Sequence, residues 1–226
     1  MPFDASYIPR YVIRLLFYLP QTLWVVAASL ICGLVISLPI TYIRYYKLRC
    51  IRIISEGFVS FIRGTPPIIQ LLIVYYALTR LLISWHVDNG EFICAIIALG
   101  VNAGGFFSEA LLSAMRSVPA GQTEAALSVG MTRVRLTRRI LFPIALPVAI
   151  PNMLNICFII LKESSLVFMI GVVSVMSGAK LISSSTFRLV EAYVAAAIIY
   201  FPICVAAELL GGILQRRMRK HTREGN

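Results

Sequence analysis

The sequence predicts an all-α integral membrane protein with five transmembrane helices. Composition points there first: of 226 residues, 59% are hydrophobic and 14% charged, where a soluble domain carries about 25% charged. The mean hydropathy is +0.85. The second observation is block structure, because the apolar residues gather in runs near the 20 or so that a spanning helix needs. The third is that basic residues crowd between alternate blocks, the asymmetry that fixes orientation in a bilayer.

The five spans are expected at 19–43, 61–85, 92–115, 142–161 and 193–214. Between the last two, 166–175 is apolar but too short to cross, and reads as an interfacial or re-entrant piece. Arg44, Lys47, Arg49 and Arg52 follow the first span. Arg116, Arg133, Arg135, Arg138 and Arg139 follow the third, and Arg216, Arg217, Arg219, Lys220 and Arg223 follow the fifth. The turn between the second and third spans carries Asp88 and Glu91 and no Lys or Arg. The positive-inside rule therefore places the three basic segments in the cytoplasm, with the N-terminus outside and the C-terminus inside. Arg10, Arg14, Lys180 and Arg188 dilute that signal on the outer side. No repeat or linker divides the chain, so 1–226 is expected to be a single domain. Gly33, Gly104, Gly105, Gly211 and Gly212 are candidates for close helix approach.

Several functions are excluded. The net charge of +11 lies in short runs between apolar blocks, which suits a membrane and not a nucleic acid. The five cysteines have no metal spacing, and His86 and His221 are isolated, so neither metal nor cofactor is expected. No phosphate-binding loop of the Gly-x-x-x-x-Gly-Lys-[Ser/Thr] type occurs, nor HExxH, CxxC or Gly-x-Ser-x-Gly. The chain is not expected to be an enzyme, and any ATP hydrolysis belongs to another subunit. The first apolar run is long and lacks a small-residue cleavage site, so no secretory signal is expected.

The informative loop is 116–141, RSVPAGQTEAALSVGMTRVRLTRRIL. Pro119 suits a helix start, 122–129 are tolerable helix formers, and Gly130 can end the helix in the left-handed conformation. The spacing predicts a helix of about ten residues, roughly 15 Å long, which does not cross. Ala125 and Ala126 would leave it a smooth surface.

Within this loop, Glu124-Ala125-Ala126, Gly130, Ile140 and Phe142-Pro143 fall at the spacing of the EAA signature, with Phe142 where that pattern has Leu. The chain thereby resembles the permeases of ABC importers. Phe61-Ile62-Arg63-Gly64-Thr65-Pro66-Pro67 with Gln70, Phe107-Ser108-Glu109 with Ser117-Val118-Pro119-Ala120-Gly121-Gln122, and Leu161-Lys162-Glu163-Ser164-Ser165-Leu166 resemble segments of its polar amino-acid branch. That branch includes histidine, glutamine, arginine and cystine permeases, and the likeness covers roughly 19–217. Phe106-Phe107 and Leu112-Ser113-Ala114 depart from its usual residues.

The resemblance implies a type I importer bundle in a bacterial cytoplasmic membrane. It implies translocation of an L-amino acid, polar or charged, or cystine, powered by separate ATPase subunits that dock on Glu124, Ala125, Ala126 and Gly130. Its implied partners are an extracytoplasmic binding protein and a second permease copy, identical or similar. An ion-coupled secondary transporter would usually show internal repeats, which are absent. A membrane-anchored assembly protein explains the spans but not the EAA spacing.

Polar residues inside spans face the bundle or a cavity. Asn102, Phe106, Glu109 and Ser113 share one face of the third span, so Asn102 and Phe106 are read as substrate pathway or as helix packing. Lys162, Glu163 and Ser164 offer acceptors and donors for a zwitterion; the bland reading is a solvated Lys162–Glu163 pair. Arg63, Gly64, Thr65 and Pro66 read as a gate or hinge, or simply a bent helix start. Glu208 reads as structural.

Overall fold

The computed structural model describes residues 3–86 and 88–224. Among these, five helical stretches are long and apolar enough to cross a membrane: Leu19–Tyr45, Pro67–Ser84, Gly90–Arg116, Arg133–Ile170 and Leu189–Ile213. Four of the five expected spans lie on them with shifted ends. The side chains of the basic run from Arg216 to Arg223 lie outside the described residues.

The chain opens with a short helix that the hydropathy blocks did not mark. α1, Ile8–Leu16, has Pro9 in its first turn, and its buried pair is Tyr11 and Leu15, four residues apart. α2 is Leu19–Tyr45. α3, Arg49–Gly64, turns Ser55, Val59 and Ile62 inward, and α4 is Pro67–Ser84.

The expected span at 61–85 is thus corrected: its first four residues belong to α3. Thr65 and Pro66 are both extended, with ψ of 142° and 138°, because a residue before proline is pushed out of the helical region. The crossing that remains in α4 is about 27 Å long at 1.5 Å per residue, close to the hydrocarbon thickness of about 30 Å.

α5, Gly90–Arg116, is the central helix and buries more of its length than the other spans. It lies along α2 at very short range. A Cβ at Gly33 would stand 2.6 Å from that of Ala103, and one at Gly100 would stand 2.7 Å from Cys32 Sγ. Small residues at such a seam let the backbones meet, which is how helices associate without help from water. Gly104 faces Ile36 in the same seam, Gly105 faces Ile62, and Gly211 faces Phe158. Gly212, expected to act likewise, meets nothing within 4 Å among the described residues.

α6 is Ala120–Ser128 and α7 is Arg133–Leu136. A wide π turn, Thr137–Leu141, leads straight into α8, Phe142–Glu163, which carries Pro147 and Pro151 in its interior. The 166–175 segment then forms a tight 3₁₀ turn, Ser164–Ile170, stopped by Gly171 at φ +88°. It is buried in the bundle: Val167, Ile170 and Val172 pack with Val25, Leu71, Cys94, Ala98 and Leu99. Irregular backbone at membrane depth survives only where protein covers it, and here the Val175 N–H donates to Thr22 Oγ1 of α2 at 3.0 Å.

α9, Val175–Thr186, starts on a reciprocal Ser174–Ser177 capping box. α10, Leu189–Glu224, begins four residues before the expected fifth span and continues beyond it. α1, α9 and the start of α10 share one core of Tyr11, Leu15, Val175, Ala179, Ile182, Ala192, Ala195, Ala196 and Ile199. Glu191, 3% exposed, pins that end of the molecule. It accepts from Arg188 Nη1 and from the Asp4 N–H, each at 3.0 Å, while the Arg188 guanidinium lies 4.0 Å from the centre of the Tyr7 ring.

Candidate functional site

Three clusters carry the sequence-predicted residues. The first is α6, at the opposite end of the bundle from α1 and α9. Its C-terminus is a Schellman cap: Gly130 N–H donates to Leu127 O at 3.0 Å and Met131 N–H to Ala126 O at 3.1 Å. Gly130 makes this possible at φ +78°, a conformation costly for residues with a Cβ. Glu124 and Ala125 are exposed, as are Leu127 of the same short helix and Val129 at its C-cap.

Ala126 corrects the expectation of a smooth alanine pair. It is 5% exposed and packs inward with Leu111, Met115, Val118, Leu136 and Leu141. One alanine anchors the helix and the other faces out. The segment that follows is tied to the end of α2. Tyr46 donates or accepts with Thr137 Oγ1 at 2.7 Å and donates to Arg133 O at 3.1 Å, and the Arg133 guanidinium lies 5.5 Å from its ring centre.

The second cluster is the elbow between α3 and α4. Gln70 Nε2 donates to Ile62 O and Thr65 Oγ1, each at 2.8 Å, and approaches Thr65 O at 3.0 Å. Its Oε1 accepts from Asn102 Nδ2 at 3.0 Å. Both amides are buried, at 4% and 2% exposure. Arg63 Nη1 reaches across the elbow to Glu109 Oε2 at 3.6 Å. Arg44 Nη1 lies 2.6 Å from Glu109 Oε1, meeting it as a charge and not along an aligned N–H. Glu109 is therefore held between two arginines.

The third cluster is a groove between α5 and α8. A cavity of about 310 Å³ is lined by Phe106, Glu109, Ala110, Ser113, Asn152, Asn155 and Ile156. The structure thus divides the face expected on the third span. Phe106, Glu109 and Ser113 line the groove, while Asn102 is turned to α4 and Gln70. Asn152 and Asn155 were not singled out from the sequence. Their signal was readable: two amides three residues apart inside a strongly apolar run.

Further along α8, Lys162 pairs with Glu208 of α10 at 3.7 Å, not with Glu163. Both side chains are more than half exposed, so the pair contributes about 0–1 kcal/mol. Glu163 Oε2 is shielded from solvent and has no hydrogen-bond partner among the described residues. Ser164 is fully buried, and its hydroxyl donates to Leu161 O at 2.7 Å.

Five apolar crossings, a capped helix standing outside them and polar groups held at depth define a multi-pass membrane transport component. The chain belongs to the family of inner membrane components of binding-protein-dependent transport systems, whose model matches residues 29–220. It is a membrane permease, a part of a transporter and not its catalytic subunit. It is 35% identical to the probable amino-acid ABC transporter permease PatM of Vibrio harveyi, across 91% of this chain and 92% of that one. It is 34% identical to the L-cystine transport system permease TcyL of Bacillus subtilis, across 97% and 93%. Among solved structures, an amino acid ABC transporter crystallised with histidines superposes with a TM-score of 0.81 at 28% identity, over 96% of this chain and all of that chain. The MetNI methionine transporter in an inward-facing form shares the fold, with a TM-score of 0.74 at 19% identity, over 96% and 99%.

Proposed function

We propose that the chain is the pore-forming subunit through which an ABC importer passes an L-amino acid, polar or charged, or cystine, into the cell. The observation that carries this reading is α6, a helix anchored inward by Ala126, ended by Gly130 and presenting Glu124 and Ala125 outward. ATPase subunits dock there from the cytoplasm and hydrolyse the ATP. The basic loops support that orientation, with the N-terminus outside and the C-terminus inside. The whole chain acts as one domain, and a second permease copy completes the pore within the lipid bilayer. A binding protein delivers the amino acid from outside.

In this scheme Glu163 offers a carboxylate to the substrate ammonium, since its Oε2 is sheltered and unpaired. Lys162 and Ser164 lie beside it in the sequence, and Phe106 lines the way past α5. Asn102 acts through Gln70, holding the elbow at Arg63, Gly64, Thr65 and Pro66, which serves as the hinge when ATP drives the pore between its two facings. Each ligand shifts that equilibrium by its difference in affinity for the two states.

The test is to purify the chain with and without its co-expressed ATPase and to repeat this with Glu124→Lys and Gly130→Val. A stable complex, ATP-dependent uptake in vesicles and loss of coupling in both variants are expected. Transport by the chain alone on an ion gradient, with both positions dispensable, would overturn the reading.

A further inference from the structure

The groove between α5 and α8 gathers polar side chains inside the apolar part of the bundle. Asn152 and Asn155 stand exposed on α8, within a crossing whose mean hydropathy is 2.2. Amides on a lipid-facing surface are costly, so polar side chains at this depth turn to a water-filled path or to protein. The opposite wall brings the Glu109 carboxylate, the Ser113 hydroxyl and the Phe106 ring into the same cavity. Its volume of about 310 Å³ lies at the small end of ligand sites, which run from about 300 to 1,000 Å³.

We infer that this groove is a second binding station for the amino acid, nearer to α6 than Glu163. The inference rests on the permease reading above. Asn155 precedes Glu163 by eight residues of helix, or about 12 Å at 1.5 Å per residue, so the groove and Glu163 lie at different depths along α8. The lining fits a zwitterion. Glu109 accepts from the ammonium group, and the Asn152 and Asn155 amides with the Ser113 hydroxyl donate to the carboxylate. Phe106 covers the carbon skeleton between them.

The charges around Glu109 give the station a consequence. Arg44 holds Oε1 closely from a mostly buried position, at 12% side-chain exposure, while Arg63 holds Oε2 at 3.6 Å from a side chain 55% exposed. An arriving ammonium competes with Arg63, the looser partner, for Oε2. Occupancy of the groove then releases Arg63 and with it the elbow between α3 and α4.

The experiment uses the complete transporter, both permease copies with ATPase subunits and binding protein, in lipid vesicles. Asn152→Leu, Asn155→Leu and the double variant are compared with the parent. The probe is a radiolabelled mixture of the common L-amino acids with L-cystine. The expected result is a fall of tenfold or more in uptake by the double variant, with the subunits still assembling as the parent does on size exclusion. Leucine at exposed positions of an apolar helix leaves the fold intact, so uptake within twofold of the parent would show a groove that faces lipid and would overturn the inference. Loss of assembly on size exclusion would also overturn it, in favour of a seam between the two copies. Absence of ATP-dependent uptake in the parent is the separate result that sinks the permease reading itself.

Discussion

Gln70 decides more of the local structure than any charged residue near it. Its amide satisfies Ile62 O and Thr65 Oγ1 on one side of the helix break and takes the Asn102 amide on the other. Two prolines free backbone carbonyls at an elbow, and a buried group left without a partner costs about 1–3 kcal/mol. Gln70→Leu keeps the bulk and removes the bonds, orphaning the Asn102 amide and the carbonyl of Ile62. A loss of about 2–4 kcal/mol is expected, seen as a lower thermal unfolding midpoint in detergent, and an unchanged midpoint would mean that the prolines alone hold the bend. The sequence placed Asn102 with Phe106 and Glu109 because helical spacing puts them on one face. That face does not meet one environment along 27 residues of α5. α4 covers Asn102, and α8 borders the groove at Phe106 and Glu109. Spacing reports direction around the helix, while the neighbour at each level comes only from the fold.

At the scale of the element, α6 was legible where backbone chemistry punctuates it and illegible where only its surroundings decide. Pro119 and Gly130 bracket the helix in the sequence and in the structure, and the left-handed cap fell where glycine allowed it. Which alanine of the pair turns inward depends on the cluster around Leu111, Leu136 and Leu141, which no local pattern announces. The same limit hid α3: Phe61 and Ile62 in its final turn read as the start of the span, and only the extended Thr65–Pro66 pair separates the two. The split alanines give opposite expectations. Ala125→Arg should leave the thermal midpoint of the isolated permease unchanged and weaken its binding to the ATPase tenfold or more, measured by co-purification or calorimetry. Ala126→Leu overfills a packed site and should destabilise the permease by about 1–3 kcal/mol. If Ala125→Arg lowered the midpoint and spared binding, α6 would be an ordinary packing helix.

Over the whole molecule, the seam between α2 and α5 separates two ends with different tasks. At one end Glu191, Arg188 and Asp4 tie α1 to α9 and α10; at the other, Tyr46 ties α2 to the segment after α6. The close contact at Gly33 favours α2 and α5 moving as one body between those ends. The atoms facing Gly33 are the Ala103 Cβ at 2.6 Å and backbone of Gly100 and Gly104 at 3.0 Å, none of them the tip of a flexible side chain. A methyl group there must drive the helices apart. Gly33→Ala should therefore cost about 1–3 kcal/mol, despite the gain of up to about 1 kcal/mol that alanine normally brings to a helix. Gly212, also helical and with nothing within 4 Å among the described residues, supplies the comparison: Gly212→Ala should be neutral or stabilising. Thermal midpoints of the two variants, measured side by side in the same detergent, separate the effects. The same sign at both positions would mean that the seam relaxes freely, and α2 and α5 would then be two movable helices and not a rigid link between the α6 end of the bundle and the α9 end.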